Sequence, residues 1–548
     1  MFVKQIKKPH GKTSVLIVKS IRKNGKPTHK TIRSLGTATN ENELEIILKS
    51  ATAFIAAIKE NQNRLLPIFD PMEFYEVKPR KEIPSDFKVN PVTLQEDHRL
   101  VCGSQEVFSQ TYKQMSFHNL LHTDYKQEEW NEVLKQCVLS RIMDPVSKLK
   151  TTEKLVDYFN IDISVSRLYR MMDKVFENKE RIKQMVLENS LTLLDGQIDV
   201  TFFDVTTLHF ESFSEDELRR FGFSKNCRFK ETQVVLALQT AQGGIPVGYE
   251  LYPGNTYEGK TLIDAVKNHK EKFKLRKVFL VADRAMFNKN NLDLMDSLGV
   301  HYVVAAKLKS MSSEVKQEIL NFASTVDKKG FAVMEKEVEG RRLIVNYSSL
   351  RAKKDLSDRE RIVTRIRKQL DKTNQIELNQ WLKNRGTKKY LKVCNKLTAS
   401  LNETKIQEDS LWDGLHGMIT NAKEESAQEL LNRYKDLWQI EEAFRINKTD
   451  LKMRPIFHWK RSRIEAHIAI CYLAFSMMVQ IRKKLNDAGV KISVDRIRYQ
   501  LGRVQRSVMY DPESKKRFVI PSKLNPLQQS IFSALGVKHQ EKPYFLET

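Results

Sequence analysis

The run IDVTFFDVTTLHF, Ile198–Phe210, decides how this chain is read. Its apolar residues fall in strand-like alternation, rich in β-branched and aromatic side chains, and a carboxylate, Asp204, marks where the apolar run gives way to polar residues. Two more strands follow, RFKETQVVLALQT (228–240) and PVGYELYPG (246–254), with Gly243-Gly244 as the turn between them. Then come a helix over 262–272, a short apolar strand VFLVA (278–282) closed by Asp283, a helix over 289–298 and a strand HYVVAA (301–306). Three meandering strands followed by alternating helix and strand predict a mixed α/β sheet.

Working outward, residues 101–196 read as helical. Within them TTEKLVDYFNIDISVSRLYRMMDKV (151–175) offers two helices around a turn at 160–164, the second carrying Arg167 and Arg170. That spacing suits a helix-turn-helix DNA reader and equally a pair of helices in a bundle. Residues 1–66 begin with SVLIVKSIR, Asn24-Gly25 and KPTHKTIRSLG, two basic strands joined by the dipeptide best suited to a tight hairpin, and continue into a helix over 40–61. A low-periodicity linker covers 67–100. After the sheet, 307–420 mixes strands such as GRRLIVNYSS with a basic amphipathic helix over 352–382, in which Ile362, Ile366 and Leu370 recur at spacing four. Helices fill 421–485, and 486–548 forms a C-terminal segment.

The 548 residues carry a formal net charge of +25. Residues 1–36 hold ten Lys and Arg with no acid, and residues 351–396 hold fifteen against five, so two short stretches contain most of the excess. One basic run reads as a solvated helix face; two dense runs point to surfaces that meet phosphates. The most apolar window, Ala466–Ile481, is 16 residues long and contains His467, short of the ~20 residues needed to cross a bilayer. The basic N-terminal residues have no apolar run and small-residue cleavage site behind them, so a cytoplasmic location is expected. Five scattered cysteines without a CxxC argue against a disulfide framework or a zinc finger.

Acids that close neighbouring strands of an α/β sheet can share a divalent cation. Taken singly, Asp204 reads as a strand terminator and Asp283 as a helix cap. A third element, YKDLWQIEEAFRINK, places Tyr434, Trp438, Glu441, Arg445 and Lys448 on one broad helix face by their seven-residue spacing. Glu441 completes a three-carboxylate set, while Arg445 and Lys448 suit phosphate oxygens. Such a set fits phosphoryl transfer on nucleic acid.

These residues resemble the DDE transposases of bacterial insertion sequences, in the group marked by Tyr-x2-Arg-x3-Glu-x6-Lys. Here the signature reads Tyr434, Leu437 in place of Arg, Glu441 and Lys448; the resemblance extends through DVTTLHFES, GYELYPGNTYEGKTL, VADRAMF, LWDGLHGMITN and RPIFHWKRSRIEAHIAICYLAF. It implies an RNase H-like catalytic core at 197–306 and 421–485, interrupted by a β-rich insertion at 307–420 that composition alone reads as a separate lobe. It also implies Asp204, Asp283 and Glu441 as catalytic metal ligands, Mg²⁺ or Mn²⁺ as a pair of ions, and double-stranded DNA, terminal inverted repeats and target, as partner of a homodimer. Tyr434, Lys448 and Arg445, the last a substitute for the missing Arg, are the expected DNA contacts. A tryptophan of the insertion stacks on a flipped base in related enzymes, which makes Trp412 and Trp381 candidates; a core tryptophan is the alternative for each. The competing functions are a related RNase H-like nuclease and a catalytically inactive DNA-binding regulator.

Overall fold

The computed structural model describes residues 2–7, 13–23, 26–38, 43–45, 47–48, 82–123, 126–211, 214–222, 231–257, 261, 279–282, 289–370, 388–395 and 398–546. The chain divides into two compact units, one of Met1–Arg99, Ser507–Pro521 and Gln540–Thr548, the other of Leu100–Arg506 and Ser522–His539.

In the first unit β1 (Phe2–Lys7), β2 (Thr13–Lys23) and β3 (Lys26–Ala38) form an antiparallel sheet. Lys23 stands opposite Lys26 at the end of the ladder; the turn expected at Asn24-Gly25 lies outside the described residues. So do most of the helix expected over 40–61 and the linker up to residue 81. A second sheet pairs β4 (Gln95–Val101) with Gln505–Asp511, Lys516–Pro521 and Tyr544–Phe545. Phe87 meets the rings of Phe518 and Phe545 edge-on, and Arg517 pairs with Asp97 at 2.9 Å. Much of the C-terminal segment therefore returns to strands that begin more than 400 residues earlier.

The second unit opens with α1 (Gly103–Gln114), α2 (Gln127–Met143), α3 (Lys148–Phe159), α4 (Val165–Glu177) and α5 (Lys179–Leu193). The α3–α4 turn forms because Asn160 takes a left-handed φ of 55° and the Ser164 hydroxyl accepts the Arg167 N–H. Leu168, Met171, Met172 and Val175 of α4 are buried against α2 and the helix Arg461–Asp487. Arg167 pairs with Glu129, and the Arg170 guanidinium lies over Trp130, both in the first turn of α2.

The sheet follows as β5 (Val200–His209), β6 (Gln233–Ala241), β7 (Ile245–Pro253), β8 (Phe279–Ala282) and, after α6 (Lys289–Ser297), β9 (His301–Ala305). β5, β6 and β7 are antiparallel; β8 and β9 run parallel to β5. The spatial order β7-β6-β5-β8-β9 is the RNase H-like arrangement. Gly243 and Gly244 make the β6–β7 turn with φ of 80° and 70°, values that exclude most other residues. Gly254, after β7, is needed for a different reason. A Cβ there would stand 2.1 Å from the Gln233 carbonyl oxygen and 2.4 Å from that of Arg220.

The insertion supplies α7 (Ser313–Thr325), β10 (Phe331–Val338), β11 (Arg341–Ser348), α8 (Ser349–Leu370), a β12–β13 hairpin (Leu391–Asn395, Thr398–Leu401), α9 (Glu403–Ser410) and β14 (Leu415–Thr420). Apart from the two-stranded β12–β13 hairpin its strands join the core sheet: β14 pairs with β9, β11 with β14 and β10 with β11, extending the core to eight strands. α8 matches the expected amphipathic helix as far as it is described, with Ile366 buried against Tyr390 and Leu391.

Two helices then replace the single one expected, α10 (Ala427–Lys435) and α11 (Trp438–Arg445), and a π-helical turn follows at Ile446–Asp450. α12 (Arg461–Asp487), α13 (Val494–Gly502) and α14 (Pro526–Ala534) complete the unit. By length and composition α12 could cross a membrane, but its apolar window is wholly buried, so it is a core helix.

Candidate active site

Asp204 does not end its strand. β5 continues to His209 because Val205–His209 stay paired with β6, so the acid sits in the middle of the central strand, opposite Leu238. Its neighbours Phe203 and Val205 enter the core cluster with Leu280, Tyr302 and Val304. Strand alternation turns Asp204 to the opposite face, and α11 packs against β5 and β6. Asp204 is half-buried, and its Oδ1 accepts the Val205 N–H at 2.7 Å. β8 ends at Ala282, in parallel register with Phe203, one residue before Asp204. Asp283, the next residue in sequence, lies outside the described residues.

Glu441 lies in the first turn of α11 and is exposed. Its neighbours fix the helix. The Gln439 side-chain oxygen accepts the Gly243 and Gly244 N–H groups at 2.8 and 3.3 Å, tying the helix start to the β6–β7 turn. Glu442 pairs with Arg482 of α12 at 3.0 Å. Among the described residues Glu441 makes no hydrogen bond or ion pair, which leaves its carboxylate available. Carboxylates from a central strand and from a helix packed against it suit a divalent cation, whose hard-oxygen preference they meet.

The single broad face expected for residues 434–448 is broken. Around Asp436 and Leu437 the hydrogen bonds tighten to i→i−3, with Leu437 N–H to Tyr434, Gln439 N–H to Asp436 and Ile440 N–H to Leu437. The π turn widens the other end. Tyr434 consequently belongs to α10, its ring 5.0 Å from that of His416. Arg445 is held by Glu442 at 3.4 Å and Asp450 at 3.7 Å, and Lys448 lies over the Phe444 ring. Half-buried Leu437 is in the break.

Tyr434 and Trp412 instead share a cavity of about 510 Å³ at the carboxyl end of β9, lined also by Ala306, Lys309, Arg351 and His416. Trp412 packs on one side into the insertion core with Leu415 and Tyr347, and Lys309 lies over its ring. Trp381 lies outside the described residues. The wall is braced by Asp409, 4% exposed, which accepts from Lys309 at 2.8 Å, from the Tyr390 hydroxyl at 3.0 Å and from Lys389. Burial opposes ionisation of this carboxyl, but the two lysines outweigh it and bring its pKa down to about 2. Arg359 grips Asp413 with two bonds of 2.5 and 2.6 Å. Burial, aided by Arg351, pushes the His416 imidazole down to about 4, so it is neutral at pH 7. None of His416, Lys309, Asp409 and Arg359 stood out in the sequence, because their partners are scattered across 309–434 without periodicity.

Among the described residues the one compact group of three metal-capable side chains is elsewhere: Cys102, Glu106 and His539. Its interactions account for it without a metal. Glu106 accepts from Arg506 and from His539 Nδ1 at 2.9 Å, and the other imidazole nitrogen bonds the Ser522 carbonyl at 3.0 Å. This buried network ties the end of the second unit to α1.

An RNase H-like sheet with a carboxylate at the centre of its middle strand is suited to metal-assisted phosphoryl transfer in nucleic acids. Residues 195–477, just over half of the chain, match the family model of the transposase DDE domain, and residues 3–66 match that of the IS1634 family transposase N-terminal domain. The chain belongs to the DDE transposases: it is a DNA transposase of the insertion-sequence type, a polynucleotidyl transferase whose catalytic domain depends on divalent cations. No curated protein matches it. Two solved structures overlap in part. The piggyBac transposase synaptic complex with hairpin DNA has a TM-score of 0.38 and 9% identity over 73% of this chain and 76% of that one. The Mos1 transposase paired-end complex with left transposon end has 0.15 and 14% over 36% and 71%.

Proposed function

We propose that Asp204, Asp283 and Glu441 together hold two Mg²⁺ or Mn²⁺ ions and that the enzyme cuts at its element's terminal inverted repeats and joins the freed ends to target DNA. The observation that supports this reading is the packing of the Glu441 helix against β5, the strand that carries Asp204 and that pairs with the strand leading into Asp283. When bound, the ion pair supplies an activated oxygen nucleophile and stabilises the leaving oxygen of the phosphodiester. The protein's part is to position. Asp204 is rigid because it is mid-strand and flanked by buried neighbours, and Glu441 is placed by the Gln439 and Glu442 anchors on either side of it.

Tyr434 and Trp412 are the candidate contacts to the DNA end, since they line one cavity at the carboxyl end of the parallel strands. Lys448, in the π turn that follows the Glu441 helix, is a candidate phosphate contact. Arg445 takes that role only by leaving Glu442 and Asp450. Two ends must be brought together, so a homodimer on DNA is the working assembly, acting in the bacterial cytoplasm on the nucleoid. The test is cleavage of a duplex carrying the element's own terminal repeat, with Mg²⁺ or Mn²⁺. Strand cleavage and joining that need the metal support the proposal; binding without either, at full occupancy, supports a DNA-binding regulator instead.

A further inference from the structure

The segment LKMRPIFHWKRSR, Leu451–Arg463, contains five basic residues and no acid. It joins the π turn to the start of α12, and its middle is fixed beside the end of β5: the Ile456 N–H donates to the His209 carbonyl at 3.3 Å, and Ile456 bridges Phe210 in parallel register. The next residues alternate as in a strand. Ile456 and His458 are buried, while Phe457 and Trp459 are 56% and 68% exposed. Two large rings thus stand in solvent on a backbone anchored at both ends. Isolated exposed apolar residues need no explanation, but a pair on one outward face, within a basic segment, does.

The Trp459 ring is already held on one side. The Arg219 guanidinium lies 6.0 Å from its centre and 5.8 Å from that of Phe210, and Asp216 fixes Arg219 at 2.7 Å. Glu215 of the same acidic loop is near Arg220, at 3.8 Å. At 68% exposure most of the indole faces solvent. Exposed Lys452 and Lys460 flank the rings, whereas Arg461 and Arg463 are engaged by Glu465 and Asp173. Aromatic faces between cations are what an unpaired base and its phosphates require. Phe210 is six residues beyond Asp204 on the same line of chain, roughly 20 Å at the rise of a β-strand, a distance that a DNA strand held at Asp204 spans in a few nucleotides.

We infer that Phe457 and Trp459 form a stacking platform for an unpaired base of the bound DNA, with Lys452 and Lys460 contacting the adjoining phosphates. The inference rests on the DNA-binding function of the family and adds to it a site separate from the carboxylates and from the Trp412 cavity. It is tested with the full-length protein in chelator, so that no cleavage occurs. The probes are the element's end as a blunt duplex and the same duplex with a single-stranded extension of about ten nucleotides. Trp459→Ala should weaken binding of the extended duplex about tenfold and leave the blunt one within about twofold. Trp459→Phe should retain most of the affinity, and Trp459→Leu should behave like Trp459→Ala, because bulk without a π face does not stack. Rescue by Leu, equal losses on both probes or no loss on either overturns the inference. So does a change in oligomeric state of Trp459→Ala without DNA, which would make the rings an interface between copies. Failure of wild-type cleavage with Mg²⁺, measured separately, bears on the catalytic proposal and leaves this binding result standing.

Discussion

At the scale of single residues, the neutral imidazole of His416 carries the clearest pH signature. Its pKa falls from 6.5 to about 4 on folding, because burial and Arg351 disfavour the charged form. The unfolded chain therefore binds the proton more readily between those values. The contribution, about 3 kcal/mol, is fully present above pH 6.5 and is lost as pH falls through 4. Urea unfolding of His416→Phe should show a shallower loss of stability between pH 6.5 and 4 than wild type; parallel curves would mean that His416 is not buried as described. Asp409 has the same sense in a more acidic window. Its carboxyl is held at about 2 by Lys309 and Lys389, so its contribution survives to lower pH and fades only as pH drops from about 4 toward 2. The Arg359–Asp413 pair is nearly enclosed, with side chains 8% and 18% exposed. Arg359→Ala strands a buried carboxylate and should cost about 3 kcal/mol in equilibrium unfolding.

At the scale of elements, the sequence reads well where a local pattern decides and poorly where pairing at a distance does. The strand at Ile198, the Gly243-Gly244 turn, the α3–α4 turn at Asn160 and the Ile366 face of the basic helix were all legible, because alternation, turn chemistry and helical spacing are properties of neighbouring residues. The length of β5 was not. Polar Thr206, Thr207 and His209 look like a strand end, yet they remain in the ladder because β6 pairs with them throughout and buries all three. The break at Asp436–Leu437 was likewise hidden, since nothing in YKDLWQ forbids a continuous helix; Gln439 bonds the β6–β7 turn, 196 residues away, and so sets where α11 begins. Gly254 offers a sharp element-level test. Gly254→Ala would press a methyl group against the Gln233 and Arg220 carbonyls. It should separate the Arg220–Gln233 bridge from β6 and lower stability by about 2 kcal/mol or more, whereas Gly299→Ala, where nothing lies within 4 Å, should show only the smaller cost of its positive φ.

At the scale of the molecule, charge and chemistry are separated along the chain. Most of the +25 lies in the N-terminal strands and the 351–396 run. The described part of the second run is α8, whose inner residues Val363 and Ile366 are buried while Lys353, Lys354, Arg365 and Lys368 face outward. Neutralising these four should weaken DNA binding, flatten its salt dependence by up to about 4 in log–log slope and leave the unfolding midpoint unchanged. An unaltered slope would make the helix a solvated face and nothing more. Candidate-site geometry was less legible than fold: the signature spacing marks Tyr434, Glu441 and Lys448 but says nothing of the α10–α11 break that turns Tyr434 toward His416 and the insertion. Only the folded chain assembles that cavity, from β9, α8, α9, β14 and α10.

The central claim is that Asp204 is a metal-holding carboxylate and not a structural one. It is tested most directly by Asp204→Asn, an isosteric change on a half-buried side chain, assayed for cleavage of the element's own end with Mg²⁺ and, in parallel, for binding of the same DNA in chelator. The account predicts loss of at least about a thousandfold in cleavage rate, a barrier increase of about 4 kcal/mol, with binding and melting temperature close to wild type. Cleavage that persists in Asp204→Asn at a wild-type rate would contradict it.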